Sequence, residues 1–144
     1  MARAIDVAKY IVNVSGEMSA MKLHKLAYYC QAWHLVWFES ELFPEDFQAW
    51  ANGPVIRSIY ALHRKQFLVN QEIFAAGNAD ALTAEQKSAI QKVLSFYGDK
   101  TAQWLSNVTH QEAPWIKARG ALPPGEASES IIDKASMHEY YSAL

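Results

Sequence analysis

The stretch that most restricts what this chain can fold into runs over residues 21–60, MKLHKLAYYCQAWHLVWFESELFPEDFQAWANGPVIRSIY. At about 100° per residue, a helix over residues 23–38 gathers Leu23, Leu26, Ala27, Cys30, Trp33, His34, Trp37 and Phe38 within roughly 140°. Lys25, Ala32 and Glu39 point the opposite way, with Tyr28, Tyr29, Leu35 and Val36 on the flanks. An apolar stripe this broad predicts a core helix covered by others on most of its surface. Glu41-Leu42-Phe43-Pro44-Glu45-Asp46 breaks the helix, because proline fixes its own φ and pushes the residue before it out of the α region. Phe47, Ala49 and Ala51 then alternate with Gln48 and Trp50, the period of an extended segment. Asn52-Gly53-Pro54 is turn chemistry, and Pro54 suits the first turn of a helix carrying Val55, Ile56, Ile59, Tyr60 and Leu62.

The rest of the chain reads as further helices. Residues 4–14 place Ile5, Ala8, Ile11 and Val12 on one face, with Asp6 at the end that favours negative charge. Residues 68–80 have no consistent period and read as a loop with one short element. Thr83 and Gln86 form a capping box for a helix showing Ile90, Val93, Leu94 and Tyr97, which Gly98 ends. Shorter helices are expected over 101–108, from Ala113-Pro114-Trp115 to Gly120, and over 136–143, with a polar connection at 122–130. The prediction is a mainly α fold, a single compact helical domain over residues 1–144. A central aromatic-rich helix organises it, with one short extended segment before the Gly-Pro turn.

Composition excludes several functions. Half of the 144 residues are apolar and the formal net charge is −2, a globular chain without the basic excess usual in nucleic-acid modules. No apolar run approaches the roughly 20 residues needed to cross a bilayer. The single cysteine, Cys30, cannot form an internal disulfide, and with no leader-like opening the expectation is a cytoplasmic protein.

Candidate chemistry is sparse. Cys30 and His34 are one helical turn apart, a spacing that would suit a thiol and its base or two metal ligands. Both lie within the apolar stripe, where a hydrogen-bonded neutral histidine and an inert cysteine are the commoner case. The acids Glu39, Glu41, Glu45 and Asp46 lie at a helix end and in a proline loop, ordinary places for solvated carboxylates. No phosphate-binding glycine loop and no hydrolase or metalloprotease motif occurs. The expectation is no catalytic residue, no metal, no cofactor and no enzymatic activity. Lys22, Lys25, Arg57, Arg64 and Lys65 interleave with Tyr28, Tyr29 and Tyr60, a mixture that serves nucleic-acid or protein surfaces. The negative charge balance favours a protein partner.

The text Lys22-Leu23-x-Lys25-Leu26-x-Tyr28-Tyr29-x-Gln31-x-Trp33-His34 continues through Leu42-Phe43, Ala49-Trp50, Gly53-Pro54-Val55 and Tyr60. This pattern resembles the Panacea domain family, which includes SocA-like antitoxins and phage-associated GepA-like proteins. The resemblance is close over residues 21–64 and extends to a second block at 109–119, Thr109-His110-Gln111-Glu112-Ala113-Pro114-Trp115-x-x-Ala118-Arg119. It implies an antitoxin that binds and neutralises a protein toxin encoded beside it, with delivery to a cytosolic ATP-dependent protease as a variant. The implied alternative is a nucleic-acid-binding regulator of its own operon or a prophage-associated regulatory protein. On this reading Lys25, Tyr28, Arg57 and Tyr60 are the expected partner contacts. Lys22, Leu26, Trp33, His34, Trp50, Gly53, Pro54 and Trp115 are expected to maintain the fold.

Overall fold

The core helix is the hub of the computed structural model, which describes residues 2–123 and 125–144. It is α2, Ala20–Phe38, begun by Ser19, whose hydroxyl accepts the Lys22 N–H, one of the donors that a helix start leaves free. Before it come α1 (Ala4–Ser15) and β1 (Met18–Ser19). After it come β2 (Phe47–Trp50), β3 (Gly53–Val55), α3 (Arg57–His63) and β4 (Leu68–Val69). A 3-10 turn at Ala79–Ala81 leads to α4 (Ala84–Tyr97), α5 (Ala102–Thr109) and α6 (Ala113–Arg119). The last elements are β5 (Ile131–Ile132) and α7 (Lys134–Ser142). Among the described residues the fold is mostly α, with two small antiparallel sheets.

Coverage of α2 is more complete than a single apolar stripe foretells. Helices α1, α4, α5 and α7 and the strand β3 all pack on it. The face expected to look outward is therefore enclosed, and both Lys25 and Ala32 are buried. The apolar stripe instead meets solvent at its far end, where Trp37 and Phe38 are exposed beyond the packed helices.

The extended segment over 47–50 is present, but the Gly-Pro turn does not start a helix. Gly53 takes φ +130°, a region open to glycine, and turns the chain back along β2. Gln48, Ala49 and Trp50 pair with Val55, Pro54 and Gly53. Pro54 thus lies in an edge strand, where a residue without an N–H is tolerated, and α3 begins three residues later. On the other side of β2, Phe47 and Gln48 pair with Ile132 and Ile131, giving the order β3-β2-β5. The sequence reading missed β5, because a two-residue strand gains its identity only from its neighbour. The same holds for β1 with β4, which pair Met18 with Val69 inside the stretch read as a loop.

Polar side chains fasten the irregular segments. Gln31 donates to the Phe43 carbonyl at 2.8 Å and accepts the Leu42 N–H at 2.6 Å, fixing the proline loop to α2. The loop's acids are fasteners too. Glu45 accepts the Ala4 N–H at 3.0 Å, while Lys134 at the start of α7 pairs with Glu41 at 2.9 Å and Asp46 at 3.4 Å. Asp6 reaches back to the Arg3 N–H and also accepts the Asn78 N–H at 2.7 Å, which ties the 70s loop to α1. The capping box of α4 forms as expected, with Thr83 and Gln86 each bonding the other's N–H, and Gly98 ends that helix.

Candidate partner-binding site

The residues of the two sequence blocks meet around the β2–β3 hairpin. Trp115 on α6 donates its indole N–H to the Trp50 carbonyl at 3.0 Å. Arg119 donates to the Ala49 carbonyl at 3.0 Å and to the carbonyls of Pro123 and Glu126. The second block therefore holds the hairpin from behind, by side chains that bond its backbone. His110 stacks on Trp115 with ring centroids 4.2 Å apart. Lys22 donates to the Gly98 carbonyl at 2.7 Å, linking the start of α2 to the end of α4. Trp33 donates to the Tyr97 hydroxyl, and His34 bonds the Ser40 carbonyl through Nδ1 at 2.7 Å. With Leu26 buried at the centre of α2, these contacts give each expected fold-maintaining residue a defined place.

In front of the hairpin lies a cleft of about 710 Å³, walled by Trp50, Asn52, Met21 and Tyr60 and by the segment from Gly125 to Glu129. Tyr60 stands edge-on to Trp50, with ring centroids 4.8 Å apart. Arg57 sits over the Trp50 ring and pairs with Glu129 at 2.8 Å, both side chains being exposed. An exposed pair of this kind adds little stability and leaves Arg57 free to exchange partners. Aromatic rings beside an arginine at a cleft mouth are the composition of an interface anchor.

Of the four expected contact residues, the structure brings Arg57 and Tyr60 to this cleft and places the other two inside the protein. Tyr28 is 0 % exposed and Lys25 is 2 % exposed. Both are covered in the free protein, because the helix wheel assumed one solvent-facing side of α2 and the hairpin and α7 lie over it. Tyr28 belongs to a buried cluster. Its hydroxyl lies 3.2 Å from that of Tyr141, and Tyr141 and Tyr29 both donate to Glu112 Oε1, at 2.7 and 2.6 Å. Tyr141 has one proton and gives it to Glu112, so Tyr28 donates to Tyr141. Burial raises the Glu112 carboxyl, and the two tyrosine donors oppose that shift.

A second buried pair went unread in the sequence. His24 Nε2 and His63 Nε2 are 2.8 Å apart. His24 Nδ1 accepts the Ile56 N–H at 3.2 Å, so its proton sits on Nε2 and is donated to an unprotonated His63 Nε2. This pair anchors α3 to α2. Burial, with the fields of His63 and Lys25, holds His24 down to about 3. The only signal in the sequence was a histidine at one position of a helix with no polar face. Cys30 is 1 % exposed, and burial pushes its thiol up, which disfavours the thiolate a nucleophile needs.

A mainly helical domain that spends its sequence motifs on holding a hairpin and its aromatic cleft is the architecture these residues define. A family model described as "Antitoxin SocA-like, Panacea domain" matches residues 23–116, about two thirds of the chain, and the chain belongs to that family. Membership carries an antitoxin role in general and, with it, a toxin as partner. No curated protein and no solved structure matches the chain. No helix among the described residues is long and apolar enough to cross a membrane.

Proposed function

We propose that this protein neutralises a protein toxin encoded beside it by binding the toxin directly through the cleft in front of the β2–β3 hairpin. The observation that carries the reading is the family match read together with this cleft. The motif residues buttress the hairpin from within, while Trp50, Tyr60 and Arg57 stand at its open side. The toxin covers the Trp50–Tyr60 pair, and Arg57 exchanges Glu129 for a partner group. The activity is binding rather than catalysis. Delivery of the bound toxin to a cytosolic ATP-dependent protease is a variant that uses the same interface.

The test is growth of cells expressing the adjacent open reading frame with and without this protein, alongside a pull-down between the two products. Arrest by the neighbour, rescue on co-expression and a recovered complex support neutralisation by binding. Rescue without a complex, lost in a protease-deficient host, supports delivery. A harmless neighbour that is not retained by the protein refutes the reading and brings forward regulation of the operon through DNA.

A further inference from the structure

Among the described residues, Lys25 is a buried cation whose charge no acidic partner takes up. Its side chain lies under the β2–β3 turn, in space that Gly53 leaves open. A Cβ built on Gly53 would stand 2.9 Å from Lys25 Cε and 3.6 Å from Nζ. The glycine of the motif is thus matched to the lysine of the motif. Among the described residues the ammonium has no carboxylate partner and no hydrogen-bond acceptor, and burial alone holds the amine down to about 8. The groups around it supply no counter-charge. His24 and His110 both feel its field, and His110 also feels that of Arg119. Arg119 is held by carbonyl groups, and Glu112, the buried acid of the neighbouring cluster, is taken by Tyr29 and Tyr141.

An unpaired buried ammonium is a cost that an apolar side chain of equal length would remove. Lys25 is 2 % exposed and lies beside the cleft rather than in its wall. The end of its side chain lies against Gly53, one residue from the cleft wall at Asn52, and Met21 of the same wall is one helical turn before Lys25.

We propose that the Lys25 ammonium is the receptor for a carboxylate of the bound toxin, an acidic side chain or chain end that enters beside the Asn52–Gly53 turn and pairs with it in the complex. The inference rests on the toxin-binding role proposed above. A carboxylate fits because the site holds one free positive charge without a counter-ion, while the chain's net charge of −2 opposes a polyanion such as nucleic acid. The ion pair is desolvated when it forms, which strengthens both its attraction and its selectivity. Binding restores the amine towards its ordinary range, so the complex takes up about half a proton at pH 8.

Titration calorimetry of the wild-type protein and Lys25→Met with the adjacent gene product, at pH 8 in phosphate and in Tris, reads this directly. The expected result is uptake of about half a proton by the wild type, none by Lys25→Met, and at least a tenfold loss of affinity in the variant. Circular dichroism confirms that the variant is folded. Equal affinity and equal proton uptake would overturn the proposal while leaving the antitoxin reading intact. A wild type that binds operator DNA through Lys25 and ignores the gene product would overturn both. If the wild type binds neither, 13C NMR of the Lys25 Cε in the free protein decides the site itself. A titration midpoint that rises in acetate over chloride at equal ionic strength supports it, and an unmoved midpoint overturns it.

Discussion

Lys25→Met should make the free protein more stable. The variant keeps an unbranched side chain under Gly53 as far as the Cε position and removes the charged terminal nitrogen. In the folded protein the amine is held down from 10.5 to about 8 by burial, and at about 1.4 kcal/mol per unit this amounts to about 3 kcal/mol of destabilisation at pH 7. The folded value lies below the unfolded one, so between about pH 8 and 10.5 the unfolded chain holds more protons and stability rises with pH. The wild type carries its full penalty below about pH 8 and sheds it as pH rises through that window. Thermal and urea unfolding of both proteins at pH 7 and pH 10 should show a melting-point advantage for the variant of about 8 °C at pH 7. The advantage should shrink by more than half at pH 10. A variant less stable than the wild type at pH 7, or an advantage that does not change with pH, would refute the reasoning and show that the ammonium makes favourable contacts in the fold.

Gly53→Ala should cost about 1–3 kcal/mol from the positive φ alone, with a further loss from its Cβ meeting Lys25 Cε. Pairing it with Lys25→Ala should recover only the second part in urea unfolding. His24 and His63 are both lowered from 6.5, His24 to about 3, so the unfolded chain protonates first and stability falls as pH drops from 6.5 towards 3. His24→Gln, which keeps an acceptor for the Ile56 N–H and a donor for His63, should flatten urea midpoints across that range. Tyr29→Phe removes one of two donors to Glu112 Oε1 and should destabilise by about 1–3 kcal/mol at pH 7. The loss should be smaller in acid, where the raised Glu112 carboxyl is protonated. Arg57→Ala and Tyr60→Ala should weaken toxin neutralisation in the growth assay while shifting stability by less than about 1 kcal/mol for the exposed Arg57. Unfolding of both variants would remove them from the interface.

What the sequence made legible was whatever local rules decide. The long α2, the extended segment over 47–50, the box of Thr83 with Gln86 and the stop at Gly98 each depend on residues within one or two turns of each other. The helix wheel failed where distant chain decides the outcome. Lys25 reads as solvent-facing until β3 is laid over it, and Pro54 reads as a helix start until Ala49 is placed opposite it. Glu112 was quoted for its motif but its role needs Tyr29 and Tyr141, which lie 83 and 29 residues away. The four expected contact residues divide between surface and interior for the same reason. Arg57 and Tyr60 belong to a short helix with one side uncovered, whereas Lys25 and Tyr28 belong to the stretch of α2 that its neighbours bury.

The pairing of β2 with β5 and the seat of Tyr141 have a consequence for the order in which the protein is made. The hairpin that walls the cleft acquires its third strand from residues 131–132, and the Glu112 cluster takes one of its two donors from residue 141. During synthesis, α2 and the hairpin leave the ribosome long before either contact exists, with apolar faces still open. A nascent chain arrested at residue 120 would hold every motif of the family match and still lack a closed core. Competence to bind would therefore arrive late in translation, after residues 131–141 have docked. On the neutralising role proposed above, that delay sets how far a newly made toxin can run ahead of its antitoxin.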